Sequence, residues 1–149
     1  MLCFCALPHQ EHAVERTNFE KLQVYQLAEK LADRIWMIVL NWVWFARNTV
    51  GGQIVRAADG ISNIAEGSGR GSLQDNRRFI KIARGCLYET KHWLRRAYKR
   101  RLLTNSEVEE LKPLIAELSP KLNAYFRSVD SAVNMAKKTK FQAQSTKLK

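Results

Sequence analysis

The chain has 149 residues, 46% of them hydrophobic and 26% charged, and a formal net charge of +11. That length builds one domain with a real core and leaves little room for a second, and the apolar content excludes wholesale disorder. Glycine and proline are sparse, at seven and three, and apolar residues follow helical spacing nearly throughout, which points to an all-α fold.

Residues 1–17 mix Cys, His, Pro and Glu without a sustained period and read as a flexible leader. The opening MLCFCALPHQ lacks the basic start and the long apolar run of a signal peptide. Cys3, Cys5, His9 and His12 invite a metal reading, but two close cysteines near two histidines in a flexible end seldom form a specific site, so no metal is expected. With Cys86 the cysteines number three, too few and too scattered for a disulfide framework, and a reducing cytoplasm fits them best.

Asn18 is a suitable N-cap for a first helix over 19–43, whose apolar face carries Val24, Leu27, Ala28, Leu31, Ile35, Ile38, Val39 and Trp42. Its end is apolar all round, with Trp36, Trp42, Trp44 and Phe45, and suits either a packed bundle end or a subunit contact. The run IWMIVL, Asn41 and WVWF is too short to span a bilayer. Residues 46–52 read as a connection around Gly51 and Gly52, followed by a second helix over 52–66 with the small inward set Ile54, Ala57, Ala58, Ile61, Ile64 and Ala65. On its polar side Arg56, Asp59, Asn63 and Glu66 lie together and read as a salt-bridged, hydrogen-bonded strip between helices, not an acid–base pair. The GSGRGS segment lacks the Lys-Ser/Thr ending of a phosphate loop and follows a helix, so it reads as a tight turn, with Ser72 and Asp75 capping the next helix. Free amides there, close to Arg70, Arg77 and Arg78, would also suit an anion.

The third helix, 72–101, holds most of the charge. Between Arg70 and Arg101 eleven Lys/Arg face only Asp75 and Glu89, a local +9, while residues 137–149 add +5 and the remainder sums to −3. At about 100° per residue, Arg77, Lys81, Arg84, Tyr88, Lys91, Arg95 and Lys99 share one side, with Phe79, Ala83, Cys86, Trp93, Leu94 and Ala97 opposite. A face of nearly one sign repels itself and is explained by a polyanionic partner. The candidate nucleic-acid-binding residues are Arg70, Arg77, Arg78, Lys81, Arg84, Tyr88, Lys91, His92, Arg95, Arg96, Lys99 and Arg100. Lys and Arg would neutralise phosphates, and Tyr88 or His92 could stack on an unpaired base.

Thr104-Asn105-Ser106-Glu107 is a capping box opening a fourth helix over 105–135. Val108, Leu111, Ile115, Leu118, Leu122, Tyr125, Val129 and Ala132 alternate by three and four, a seam suited to bundle packing, with local bends expected at Pro113 and Pro120. From Lys137 the chain reads as a flexible basic tail without a buried face. Four apolar stripes joined by short capped turns make an antiparallel up-down-up-down four-helix bundle over 18–136.

The stretch QIVRAADGISNIAEGSGRGS, the following Arg-Phe-Ile-Lys-Ile-Ala-Arg-Gly, Leu87 with Glu89, and the opening NFEKLQVYQLAEKLA resemble the four-helix bundle proteins encoded in intervening sequences of 23S rRNA genes. The resemblance covers roughly residues 18–135 and implies a ring-like homopentamer without catalytic activity. It also implies kinship with the accessory variability determinants of diversity-generating retroelements, which bind nucleic acid and a reverse transcriptase. The chain departs from the pattern in its aromatic first connection, in Cys86 where serine is usual, and in its longer basic tail.

Two functions compete. The first is an oligomeric RNA- or DNA-binding adaptor using the basic helix, and the alternative is a scaffold docking an acidic protein. Catalysis is not expected: apart from His9 and His12 there is only His92, and no nucleophile–base pair is legible by spacing. No cofactor or small-molecule substrate is expected either.

Overall fold

The computed structural model describes residues 18–146, and over that span every regular element is helical. The leader with Cys3, Cys5, His9 and His12, and residues 147–149, lie outside the described residues. Four helical runs make up the domain: α1 (Gln23–Leu40), α2 (the composite run 44–69), α3 (Leu73–Lys99) and α4 (Asn105–Thr146).

α1 starts later than the expected cap at Asn18. Residues 18–21 form a turn in which Leu22 N–H donates to the Phe19 carbonyl at 3.0 Å, and the Gln26 amide donates to the Glu20 carbonyl at 2.9 Å. The Phe19 ring meets Tyr25 edge-on at 5.1 Å, so an aromatic contact fixes the entry of the chain where no side chain caps the helix.

The connection expected over 46–52 is shorter, at 41–43. Helix resumes at Trp44–Ala46, passes through a π-helical turn at Arg47–Gly51, and continues as Gly52–Asp59. The Asn48 amide and Thr49 hydroxyl donate back to the Trp44 and Phe45 carbonyls at 2.8 and 2.7 Å, which holds the widened turn together. Gly51 does not break the helix; a Cβ there would stand 2.6 Å from Val39 Cγ1, so its bareness lets α2 lie against the end of α1. One 3₁₀ turn, Gly60–Ser62, leads into Asn63–Gly69. Gly67, expected to stop the helix, lies inside it, and a Cβ there would meet Phe79 Cβ at 2.8 Å.

The capping of α3 and α4 follows the sequence. Ser72 Oγ accepts from Asp75 N–H at 3.4 Å, and Thr104 and Glu107 exchange their two capping bonds at 2.8 and 3.2 Å. α3 ends in a Schellman motif: Leu102 N–H donates to Ala97 O and Arg101 N–H to Tyr98 O, both at 3.0 Å, with Arg101 in the left-handed region at φ 59°.

Pairwise contacts set the register of the helices. Lys121 reaches Gln23 at 2.8 Å and Arg34 pairs with Glu110 at 2.5 Å between α1 and α4; Arg77 pairs with Asp130 at 2.9 Å and Lys91 reaches Ser119 at 2.7 Å between α3 and α4. In each pair of helices residue numbers rise along one as they fall along the other. α1 packs on α2 and α4, and α3 on the same two, around a core of Leu31, Ile35, Ile54, Ile61, Ile64, Ile80, Leu118 and Leu122.

The buried line of α3 is Ile80, Ala83, Leu87, Thr90, Leu94 and Ala97. Thr90 is fully buried, and its hydroxyl donates to the Cys86 carbonyl at 2.8 Å. Phe79, Cys86 and Trp93, expected on the core side, are half-buried on the α2 flank, because α3 packs against two neighbours and its buried centre falls between them. α4 continues helically to Thr146, past the end expected at 135, so residues 137–146 extend the helix where a flexible tail was expected. Residues 134–145 are exposed all round, and propagating a helix already nucleated in the bundle costs little per residue.

Candidate nucleic-acid interface

Measured from the buried centre of α3, the row of Arg77, Lys81, Arg84, Tyr88, Lys91, Arg95 and Lys99 sits roughly 115° round, on the shoulder towards α4 and not diametrically opposite the core. That rotation divides the candidate residues in two. Arg77 is paired with Asp130, and Lys91 donates to Ser119 Oγ, whose own hydroxyl donates to the Ile115 carbonyl at 2.8 Å. The Arg84 guanidinium lies over the Phe126 ring at 4.8 Å. Arg70 pairs with Glu66 and covers the Phe79 ring at 5.1 Å. Arg77, Arg84 and Lys91 are thus engaged in contacts between α3 and α4, and Arg70 in a local one at the α2–α3 turn.

The others are exposed, although Lys81 also brings its ammonium to 5.9 Å from the Phe126 ring centroid. Arg78, Lys81, Tyr88, His92, Arg95, Arg96, Lys99 and Arg100 are exposed, and among the described residues none of these cations is in an ion pair. The acids of the helix offer them no relief: Asp75 sits at its capped start, and Glu89 accepts from the Trp93 indole at 3.4 Å. Tyr88 is 58% exposed with Lys91 Nζ 5.5 Å from its ring centroid, and His92 is exposed beside Trp93, with ring centroids 5.2 Å apart. Lys137, Lys138 and Lys140 stand exposed on the α4 extension.

Beside this surface the structure places a feature the sequence reading missed. Where residues 100–104 join α3 to α4, the two helices part to leave a cleft of about 700 Å³. Leu94, Leu103 and Leu111 are buried at its base, Tyr98, Val108 and Ile115 flank them, and Lys91, Arg95, Lys99 and Lys112 stand at the rim. Val108 and Ile115 fit the apolar seam of α4 by spacing, yet both are only half-buried; that shortfall is visible only once the helices are assembled.

The polar strip expected on α2 does not form as read. Arg56 bonds Gln53 at 3.0 Å, Glu66 takes Arg70, and Asp59 lines a shallow depression with Tyr25, Glu29 and Asp33. Burial, and then the Asp33 charge, push the Asp59 carboxyl above its ordinary pKa. Burial, then Glu89, likewise raises the Cys86 thiol. Among the described residues no three His, Cys, Asp or Glu side chains are grouped to hold a metal, and no helix is long and apolar enough to cross a membrane.

The family described as 23S rRNA-intervening sequence protein matches residues 20–124, a span that takes in α1, α2, the whole of the cationic α3 and the first half of α4. Among curated proteins none matches the chain. The match covers most of the chain and every outward-facing cation of α3, and on it the chain belongs to the 23S rRNA-intervening sequence protein family.

Proposed function

We propose that this protein is a non-enzymatic, cytoplasmic, nucleic-acid-binding adaptor that works as a homo-oligomer built from antiparallel up-down-up-down bundles. The observation that carries the reading is the exposed set of cations on α3 that are in no ion pair among the described residues: Arg78, Lys81, Arg95, Arg96, Lys99 and Arg100, with the rings of Tyr88 and His92 among them. Such a surface neutralises phosphates without reading sequence, and its rings suit unpaired bases. Membership of a family named for 23S rRNA is in keeping with an RNA partner. A reverse transcriptase is the protein partner that kinship with retroelement accessory proteins would bring, and five is the subunit number that kinship suggests. The exposed apolar end, with Trp36, Met37, Leu40, Val43, Trp44 and Phe45, favours self-association.

The test is binding to single-stranded RNA of random sequence across a salt series. Changing Arg78, Lys81 and Arg96 together to glutamine should leave the helical signal intact, since all three are exposed and in no ion pair among the described residues. The same change should weaken binding and flatten the slope of log affinity against log salt by about 2–3, at roughly 0.7 to 0.9 per lost phosphate contact. If the variant binds RNA like the parent while losing an acidic protein partner, the face is a protein dock and the nucleic-acid reading fails.

A further inference from the structure

Where the start of α2 passes the end of α3, on the flank away from α4, the structure leaves an open groove of about 740 Å³. Val50 is buried at its floor, Trp93 is half-buried in its wall, and Phe45 stands at its rim, 72% exposed. Its other wall is the π-helical turn at Arg47–Gly51 with the residue two beyond it, which contributes Asn48, Thr49 and Gln53. Apolar and aromatic walls, a few convergent polar groups and a volume between about 300 and 1,000 Å³ are the make-up of a small-molecule site.

Those polar groups are only partly used. Asn48 donates to the Trp44 carbonyl and Thr49 to the Phe45 carbonyl, which leaves the Asn48 amide oxygen and the Thr49 hydroxyl oxygen to accept. Gln53 accepts from Arg56 at 3.0 Å, which leaves its amide N–H groups to donate. No acid lines the groove, and Glu89 is held at the Trp93 indole at 3.4 Å. Arg100 lines it and is in no ion pair among the described residues. Seven residues apart on α3, Trp93 and Arg100 stand on nearly one line two turns long, with Arg96 roughly 60° round from it. Aromatic surface, amide donors and acceptors, and a cation within reach are what a base, its edge and its phosphate each require. A lipid tail has no use for the amides, and a phosphate alone has none for the rings.

We propose that this groove takes one unpaired base of a bound single strand, stacked on Phe45 and Trp93, with its edge on the Asn48 and Gln53 amides and its phosphate on Arg100. The proposal rests on the nucleic-acid reading above and deepens it. Tyr88 and His92 stand on the exposed face of α3, where they can meet only the flat side of a base, whereas the groove also meets its edge. Arg96 and Arg78 then carry the strand's neighbouring phosphates along α3.

The test measures binding of two ligands to the full chain: a short single-stranded RNA of random sequence, and a backbone of equal length and charge that carries no bases. The parent should hold the RNA more tightly. Phe45→Ala should weaken the RNA complex roughly 5- to 150-fold with the salt slope unchanged, and should leave the affinity for the base-free backbone alone. Arg100→Gln should weaken both complexes and lower the slope by about 1. Trp44→Ala is the control, 70% exposed on the same turn but outside the groove, and should bind both ligands as the parent does. Circular dichroism of all three variants should match the parent, since each site is exposed. If the parent binds both ligands equally, if Phe45→Ala binds RNA like the parent, or if Trp44→Ala loses as much as Phe45→Ala, no base sits in the groove and the proposal falls while the nucleic-acid reading stands. A drop in mass of Phe45→Ala alone, in light scattering without RNA, would give the groove to a second copy of the chain and overturn the proposal too. A parent that binds neither ligand would instead sink the nucleic-acid reading, and the groove's role with it.

Discussion

A close approach of α2 to α3 can be tested at Gly67. An alanine Cβ there would lie 2.8 Å from Phe79 Cβ, 2.9 Å from Asn76 Oδ1 and 3.2 Å from the Asn76 carbonyl oxygen. Carbon atoms in contact prefer about 3.5–4.0 Å, so close to an ångström must be found. Neither a Cβ nor a backbone carbonyl can swing aside, and the two helices have to separate at this level. Overpacking of this kind costs about 1–3 kcal/mol, against up to about 1 kcal/mol that alanine returns over glycine in a helix. Gly85 supplies the control, because it lies exposed within α3 and a Cβ there meets nothing within 4 Å. Gly85→Ala should therefore raise stability by about 0.5–1 kcal/mol, and Gly67→Ala should fall below it by about 1–3 kcal/mol. At about 2–4 °C per kcal/mol for a chain of this size, the two melting temperatures should differ by roughly 2–12 °C. Thermal melts followed by circular dichroism at one fixed protein concentration would measure the gap, since assembly makes the midpoint concentration-dependent. If the two alanine variants melt together, the tight α2–α3 approach is not there and the packing argument is wrong.

Two further outcomes follow from local features. Arg101 holds a left-handed conformation at the C-terminus of α3, so Arg101→Gly should raise stability by about 0.5–1 kcal/mol in urea denaturation, strain relief outweighing the added freedom of the unfolded chain; an unchanged or lower midpoint would refute this. Asp59, whose pKa is raised by burial and then by Asp33, binds its proton more tightly folded than unfolded. Its contribution to stability therefore falls as pH rises from the unfolded pKa through the folded one, and the deficit persists at neutral pH. Asp59→Asn should gain on the parent at neutral pH, and the gain should shrink as the solution is acidified below the ordinary aspartate value; a difference that is flat with pH would contradict the assignment.

What the sequence determined by itself is what depends on near neighbours along the chain. The helical spacing of the apolar residues gave an all-α domain. The Thr104–Glu107 box and the Ser72 cap marked two helix starts, and the stretch from Gln53 to Ser72 was part of the resemblance to the family that matches residues 20–124. Helix period, capping and charge content are local, so they survive without knowledge of the partner helices. Tertiary structure decided the rest. Gly51 and Gly67 look like breakers in isolation and act as points of close approach, because only the neighbouring Val39 and Phe79 show why a side chain is missing. The spacing of α3 arranged its cations in a row but left the rotation of the helix open, and packing against both α2 and α4 turned that row onto the α4 shoulder. Arg77, Arg84 and Lys91 were thereby drawn into the bundle's own contacts while Arg78, His92 and Arg96 were left facing water. The contacts of Lys121 with Gln23 and of Lys91 with Ser119 show how far each helix slides along the next, a quantity set by side chains meeting across helices and by no spacing within one.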